Sequence, residues 1–215
     1  MTDRFTDRLR AGAEPLWSEA VGHRFTTELC AGAIAPEVMA RYLVQDHRFL
    51  DSFLTLLGAA MASADGFEAR LTLGRFAGLV SGEENTYFLR AFAALGMTED
   101  MRAAIPDAVP TAGFQAIMRE AAATRSYAAA LSVLSVAEWL YLDWASRAGR
   151  LPDSFVHAEW ITLHDNPGFR AFVAFLRAEL DRVGPGEEAL CRDFFGRAVR
   201  LEKAFFDAAY EGAAA

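Results

Sequence analysis

Residues 38–62 read VMARYLVQDHRFLDSFLTLLGAAMA. The apolar side chains that recur in this stretch at spacings of three and four are Met39, Tyr42, Phe49, Phe53 and Leu57. This periodicity predicts a long amphipathic helix. Asp46 lies on its apolar face, where an unpaired carboxylate costs several kcal/mol or shifts its pKa to stay neutral. Asp46 is therefore either a pocket residue or a structural acid whose oxygens find hydrogen-bond partners.

Two more acids lie on apolar helix faces. Glu138 follows Leu134 and precedes Tyr141 at helical spacing, and Glu202 precedes Phe205 in the same way. Three such acids in three separate helices each carry a desolvation cost if they are buried. We therefore expect the three helices to converge on one polar pocket, while hydrogen-bonded structural acids are the alternative.

Glu83 is a fourth candidate, because it falls in the apolar pattern of Val80 and Tyr87. Its neighbour Glu84 fits a rival helical register equally well. His164 directly precedes a helix junction, where its ring could face the pocket or cap a backbone carbonyl. These two positions extend the predicted site beyond the three acids.

The sequence predicts an all-α bundle that forms a single domain over residues 1–215. Strand-like alternation is nearly absent, whereas helix starts and stops are frequent. We predict helices at residues 14–31, 36–62, 67–95, 98–104, 112–148 (with a break near Arg125), 153–164, 167–183 and 187–210. Short loops between long helices make neighbouring helices antiparallel. The tail at 212–215 is expected to fray.

Composition excludes several classes of function. The net charge of −8 and the scattered Arg residues argue against nucleic-acid binding, which needs clustered positive charge. Two cysteines are too few for a disulfide framework. The first ten residues lack the apolar core of a signal peptide, and no apolar run approaches the roughly 20 residues of a membrane span. We expect a cytoplasmic protein that does not contact membranes.

Metal and cofactor chemistry have little support in the sequence. A di-iron site in a helical bundle uses Glu-x-x-His motifs on facing helices, and the chain has none. We therefore assign no metal ligand and no cofactor. A di-iron oxidase stays as an alternative if an irregular set of metal ligands holds the irons. The ligands of this set would be Asp46, Glu83, Glu138, His164 and Glu202.

Residues 41–50, RYLVQDHRFL, resemble the Tyr-x-x-Gln-Asp-x-x-Tyr-Leu segment of the TenA family, the thiaminase II proteins with a haem-oxygenase-like helical fold. The resemblance continues in chain order through WLY at 139–141, WITLH at 160–164 and LEKAFF at 201–206. It implies a haem-oxygenase-like helical bundle that covers nearly the whole chain.

The resemblance also implies roles for individual residues. In the family, the acid of the Gln-Asp pair binds the aminopyrimidine of the substrate, which places that role on Asp46. The Glu of the last helix handles the proton of the leaving group, which makes Glu202 catalytic. The substrate pocket is expected to be completed by Tyr42, Phe49, Glu83, Tyr141 and His164. Phe49 and His164 stand where relatives have tyrosines.

This chain has no cysteine at the position of the family's nucleophile. The best-known branch has a cysteine just upstream of the WLY segment, where this chain has Ser135, Val136, Ala137 and Glu138. A second branch lacks that cysteine and has a glutamate in this neighbourhood. The chain resembles this second branch, which implies that Glu138 is the second catalytic residue. The expected reaction is hydrolysis of 4-amino-5-aminomethyl-2-methylpyrimidine, or its N-formyl form, to the hydroxymethylpyrimidine of thiamine salvage.

Two further expectations concern alternatives and assembly. A non-catalytic aminopyrimidine-binding protein with a regulatory label is the alternative to an enzyme, beside the di-iron oxidase.

The resemblance to the family also implies a homo-oligomer. Hydrophobic residues make up 53% of the chain and include four Trp, which is more apolar surface than one core of this size readily buries. The sequence therefore predicts a homodimer or a homotetramer without choosing between them.

Overall fold

The computed structural model describes residues 4–211, so the tail at 212–215 that we expect to fray lies outside the described part. All regular elements between these residues are helical, which confirms the predicted all-α class. The α-helices are α1 (Phe5–Gly12), α2 (Leu16–Val21), α3 (Arg24–Cys30), α4 (Pro36–Ser63), α5 (Phe67–Leu79), α6 (Asn85–Ala94), α7 (Glu99–Ala104), α8 (Val109–Thr124), α9 (Tyr127–Ala145), α10 (Phe155–His164), α11 (Pro167–Val183) and α12 (Glu188–Ala208). A π-helical turn, Val80–Glu84, joins α5 to α6, and a 3-10 turn, Gly184–Glu187, precedes α12.

Several helix ends follow local signals in the sequence. Pro36 begins α4 at a position where its missing N–H costs nothing. The side chain of Asn166 caps α11 by accepting the backbone N–H of Phe169 at 2.9 Å. Arg125 adopts a left-handed backbone with φ of 57°, which separates α8 from α9 and confirms the predicted break.

The predicted helix at 14–31 is wrong, because the structure has two short helices there and an additional helix, α1, before them. Gly22 ends α2. The ring Nδ1 of His23 then accepts the N–H of Phe25 at 3.0 Å and begins α3. A histidine in the capping position gives a weak sequence signal, since Ser, Thr, Asp and Asn are the usual caps.

Helix α9 is the centre of the bundle. Its side chains are buried on nearly all faces, as expected of a helix surrounded by other helices. It packs against α4, α11 and α12, and both α4 and α12 also pack against α8. This arrangement brings the helices of Asp46, Glu138 and Glu202 around one region of the core. None of the helices between residues 4 and 211 is long and apolar enough to span a membrane.

Candidate active site

Asp46, Glu138 and Glu202 line one cavity, which we call the acid cavity. The three residues come from α4, α9 and α12, and each is at least 93% buried. The aromatic residues of the cavity wall are Phe49, Phe53, Phe114, Tyr141, Trp160 and His164. The structure thus brings together three acids that lie more than 60 residues apart in the chain.

The fourth carboxyl group in the acid cavity belongs to Glu84, whereas Glu83 is exposed and does not line it. The predicted pocket residue Glu83 therefore lies outside this cavity, and its neighbour takes that place. The reason is the π-helical turn at Val80–Glu84, whose wider spiral shifts the helical register by one residue. Such turns are frequent at functional sites.

Asp46 is held by a pair of tyrosines. The hydroxyl of Tyr141 donates to Oδ1 of Asp46 at 3.4 Å, and the hydroxyls of Tyr42 and Tyr141 lie 2.7 Å apart. Tyr141 lines the acid cavity, but Tyr42 is buried behind it and does not. The structure therefore gives Tyr42 a positioning contact instead of the predicted place in the pocket wall.

Gln45 fixes the helix that carries Asp46, a role that the sequence did not reveal. Its Nε2 donates to the carbonyl of Pro106 at 2.8 Å, and its Oε1 accepts from the N–H of Ala108 at 3.0 Å and the hydroxyl of Thr111 at 2.7 Å. These three bonds tie α4 to the start of α8. Because Asp46 is the next residue, they also help to fix its position.

His164 is both a cap and a cavity residue. Its Nδ1 lies 2.8 Å from the carbonyl oxygen of Trp160. A carbonyl can only accept, so Nδ1 carries the hydrogen and Nε2 is left as an acceptor. Burial lowers the pKa of His164 to about 4, which keeps the ring neutral near pH 7. His164 therefore brings no positive charge to the four acids.

All four acids have raised pKa values. Burial is the largest cause for Asp46, Glu138 and Glu202, and the charges of neighbouring acids add to it. Burial alone raises the pKa of Glu84 to about 7. The tyrosine hydroxyls oppose the rise at Asp46 because they stabilise its ionised form. The site thus holds protonatable carboxyl groups at neutral pH, which is the property that acid–base catalysis requires.

We expect Glu84→Gln to flatten the pH dependence of stability between pH 4.5 and 7. In that window the folded chain keeps a proton on Glu84 that the unfolded chain has released, so the free energy of unfolding falls as pH rises. Across this window the ionisation of Glu84 lowers the free energy of unfolding by about 1–3 kcal/mol. Urea unfolding across the window measures it, with Glu83→Gln as the matched surface control. Equal slopes for wild type and Glu84→Gln would contradict the raised pKa of Glu84.

The donor set of a metal centre does not assemble here. Among residues 4–211, no three His, Cys, Asp or Glu side chains are grouped so that they could hold a metal ion. Four members of the irregular set that the di-iron alternative needs line the acid cavity without forming such a group, and these are Asp46, Glu138, His164 and Glu202. Glu83 lies outside the acid cavity.

Comparison with solved structures identifies the fold. A TenA family transcription regulator from Silicibacter sp. TM1040 is 21% identical, with a TM-score of 0.85 over 97% of each chain. A putative TenA-like thiaminase from Sulfolobus solfataricus P2 is 18% identical, with a TM-score of 0.79 over 95% of this chain and 94% of that one. A domain of unknown function with a haem-oxygenase-like fold from Shewanella denitrificans OS217 is 13% identical, with a TM-score of 0.69 over 96% of this chain and 92% of that one.

These likenesses confirm the predicted haem-oxygenase-like helical bundle. No functionally curated protein matches the chain. The model of the TENA/THI-4/PQQC family matches residues 10–212. Because this match covers nearly the whole sequence, the chain belongs to the TENA/THI-4/PQQC family, as the resemblance in its sequence predicts.

Proposed function

We propose that the chain is an aminopyrimidine aminohydrolase of thiamine salvage, acting on 4-amino-5-aminomethyl-2-methylpyrimidine or its N-formyl form. The observation that carries this proposal is the acid cavity, where four carboxyl groups from four parts of the chain face a small space with aromatic walls. Neither Cys30 nor Cys191 lines that space, so a hydrolysis by carboxyl groups fits it better than attack by a thiolate.

Asp46 is proposed to bind the aminopyrimidine ring. The ring presents a nitrogen acceptor beside an amino donor on one edge, and a carboxyl group can engage both. Its flat faces suit the walls formed by Phe49, Tyr141 and Trp160. The tyrosine contacts of Asp46 support this role, since they hold its side chain before a ligand arrives.

Glu138 and Glu202 are proposed to act as the base and acid pair. One carboxylate takes a proton from water as the water oxygen bonds to the methylene carbon. The C–N bond breaks, and the other carboxylic acid gives its proton to the departing nitrogen. The products are the hydroxymethylpyrimidine and ammonia from the free amine, or the hydroxymethylpyrimidine and formamide from the N-formyl form. Burial raises the pKa of both groups, and the charge of Glu138 raises that of Glu202 further, which favours one protonated and one ionised group at the same pH.

We expect Asp46→Ala to weaken binding of the hydroxymethylpyrimidine by about 1–3 kcal/mol, because the ring nitrogen and the amino group are then left without their hydrogen-bond partner. Titration calorimetry measures this loss. The matched control is Asp51→Ala on the same helix, where the carboxylate is exposed and pairs with Arg119. Equal affinity of Asp46→Ala and wild type would remove Asp46 from the binding site.

The reaction itself is tested by ammonia release from the aminomethylpyrimidine. Purified protein treated with a chelator should release ammonia and hydroxymethylpyrimidine in equal amounts. Loss of activity on chelation, with recovery on adding iron, would favour the oxidase alternative. Tight binding of the pyrimidine without ammonia release would favour the non-catalytic binding protein. That alternative agrees best with the description of the Silicibacter protein as a transcription regulator.

A further inference from the structure

A groove separate from the acid cavity lies between the end of α3 and the start of α10, and we call it the α10 groove. It is lined by residues 30–32 on one side and by residues 150–154 and His157 on the other. Gly32 lets these segments approach, because its φ of 68° suits glycine and a Cβ there would come 3.0 Å from Pro152. None of these residues lines the acid cavity, so the proposed reaction gives the groove no role.

The start of α10 offers unused hydrogen-bond donors at this groove. Ser154 occupies the capping position, but its side chain makes no hydrogen bond to the helix. Its carbonyl accepts the N–H groups of His157 and Ala158, whereas those of Phe155 and Val156 have no partner within residues 4–211. The positive end of the helix dipole adds to these free N–H groups. A helix start of this kind attracts anions.

His157 is a second and independent indication of a ligand. The residue is only 9% exposed, its ring lines the α10 groove, and its buried Nδ1 has no hydrogen-bond partner. As the third residue of the helix, it stands where a side chain can reach back to the helix start. Burial lowers the pKa of His157, so the ring is neutral near pH 7 and carries one N–H. A buried polar group without a partner costs free energy until a ligand supplies one.

Arg150 supplies the positive charge of the groove. Its side chain is 88% exposed, and its Nη2 lies 3.1 Å from Oδ1 of Asp153, whose side chain is 93% exposed. A pair as exposed as this one contributes little to stability, so an anion can draw Arg150 away from Asp153. The guanidinium group is planar and binds two oxygens of a phosphate at once. The charge and the donors of the groove therefore favour a phosphate group.

We propose that the α10 groove binds the phosphate group of a small molecule. The two free N–H groups of α10, the hydroxyl of Ser154, the guanidinium of Arg150 and the ring N–H of His157 donate to its oxygens. Together these donors exceed the roughly four hydrogen bonds that a carboxylate accepts, whereas a phosphate presents more acceptor sites. Leu151 and Pro152 also line the groove and offer apolar contact to the organic part of a phosphate ester.

Calorimetry of the full chain with inorganic phosphate is the first test, and methyl phosphate is the second probe. Binding of both compounds assigns the groove to phosphate esters, and binding of inorganic phosphate alone assigns it to the free ion. Acetate should bind about tenfold more weakly than phosphate, because it has fewer oxygens and less charge. Equal or tighter binding of acetate would overturn the assignment to phosphate.

Cys30 reports where the phosphate binds. Its thiol is half-buried and lines the α10 groove, whereas Cys191 is buried and does not line it. Phosphate should therefore slow the alkylation of Cys30 by iodoacetamide, which mass spectrometry of the Cys30 peptide measures. Cys191 should stay unreacted with and without phosphate. Phosphate binding that leaves the alkylation rate of Cys30 unchanged would overturn the proposed location.

Phe155→Pro removes one of the two free backbone donors. Proline is tolerated at the first helical position, and Ser154 already has the extended backbone that a following proline requires. Phe155→Ala is the matched control, since it loses the same side chain and keeps the N–H. Phosphate should bind several-fold more weakly to Phe155→Pro than to Phe155→Ala. Equal affinity of the two variants would contradict binding at the start of α10.

Arg150→Gln tests the charge of the groove without touching the helix backbone, so it remains informative if Phe155→Pro fails to fold. It should weaken phosphate binding by about tenfold. Arg119→Gln is the control, because Arg119 is an exposed arginine that pairs with Asp51 outside the groove. Equal losses in both variants would show a nonspecific effect of net charge and overturn the proposal. Ammonia release from the aminomethylpyrimidine tests the proposed function separately and should be unchanged in both variants.

Discussion

Glu202→Gln is expected to lower turnover of the aminomethylpyrimidine by about 10²–10⁴-fold, the usual contribution of one general acid or base. The substitution keeps the size of the side chain and removes only its ability to exchange a proton. Binding of the hydroxymethylpyrimidine should change little, because Asp46 is the proposed ring contact. Steady-state ammonia release and calorimetry with the product measure the two quantities separately.

The control for this prediction is Glu188→Gln on the same helix, α12. Glu188 is partly exposed and pairs with Arg192, so its loss should leave both turnover and affinity unchanged. Gln in place of a buried acid has no charge to desolvate, and Glu202→Gln should therefore remain folded. A turnover within a few-fold of wild type in folded Glu202→Gln would exclude Glu202 from the mechanism.

The acid cavity could largely be predicted from one helical pattern repeated in three places. Asp46, Glu138 and Glu202 each interrupt an apolar face, and the cost of burying an isolated charge makes it expected that such residues meet. The pattern did not identify Glu84, the fourth acid of the cavity. A regular period of 3.6 residues favours neither Glu83 nor Glu84, and the π-helical turn that selects Glu84 depends on how α5 and α6 pack.

The contacts of Tyr42 and Gln45 show a second limit of prediction from sequence. Helical spacing placed Tyr42 on the same face as Asp46, and that is where it lies, but spacing cannot distinguish a side chain in a cavity wall from one behind it. The bonds of Gln45 join residues more than 60 positions apart, to the loop before α8 and to the first turn of that helix. Tertiary contacts of this kind follow from the packed fold and not from local sequence.

Glu138→Gln is expected to lower turnover by about 10²–10⁴-fold as well, since the proposed mechanism needs a proton acceptor and a proton donor on the same substrate. Glu138 is buried in the central helix α9 and faces the same cavity as Glu202. The charge of Glu138 contributes to the raised pKa of Glu202, so the protonation of the two residues is coupled. Glu138→Asp keeps a carboxyl group at a shorter reach and should recover part of the rate.

The double variant decides whether Glu138 and Glu202 act together. Groups that act as one unit lose most of their effect when either is removed, so the second substitution should cost far less than the first. The turnover of Glu138→Gln/Glu202→Gln should therefore lie close to that of the slower single variant. If the two losses multiplied instead, each residue would contribute to a separate step. The shared-proton mechanism would then have to be replaced by one in which Glu84, the fourth carboxyl group of the acid cavity, partners one of them.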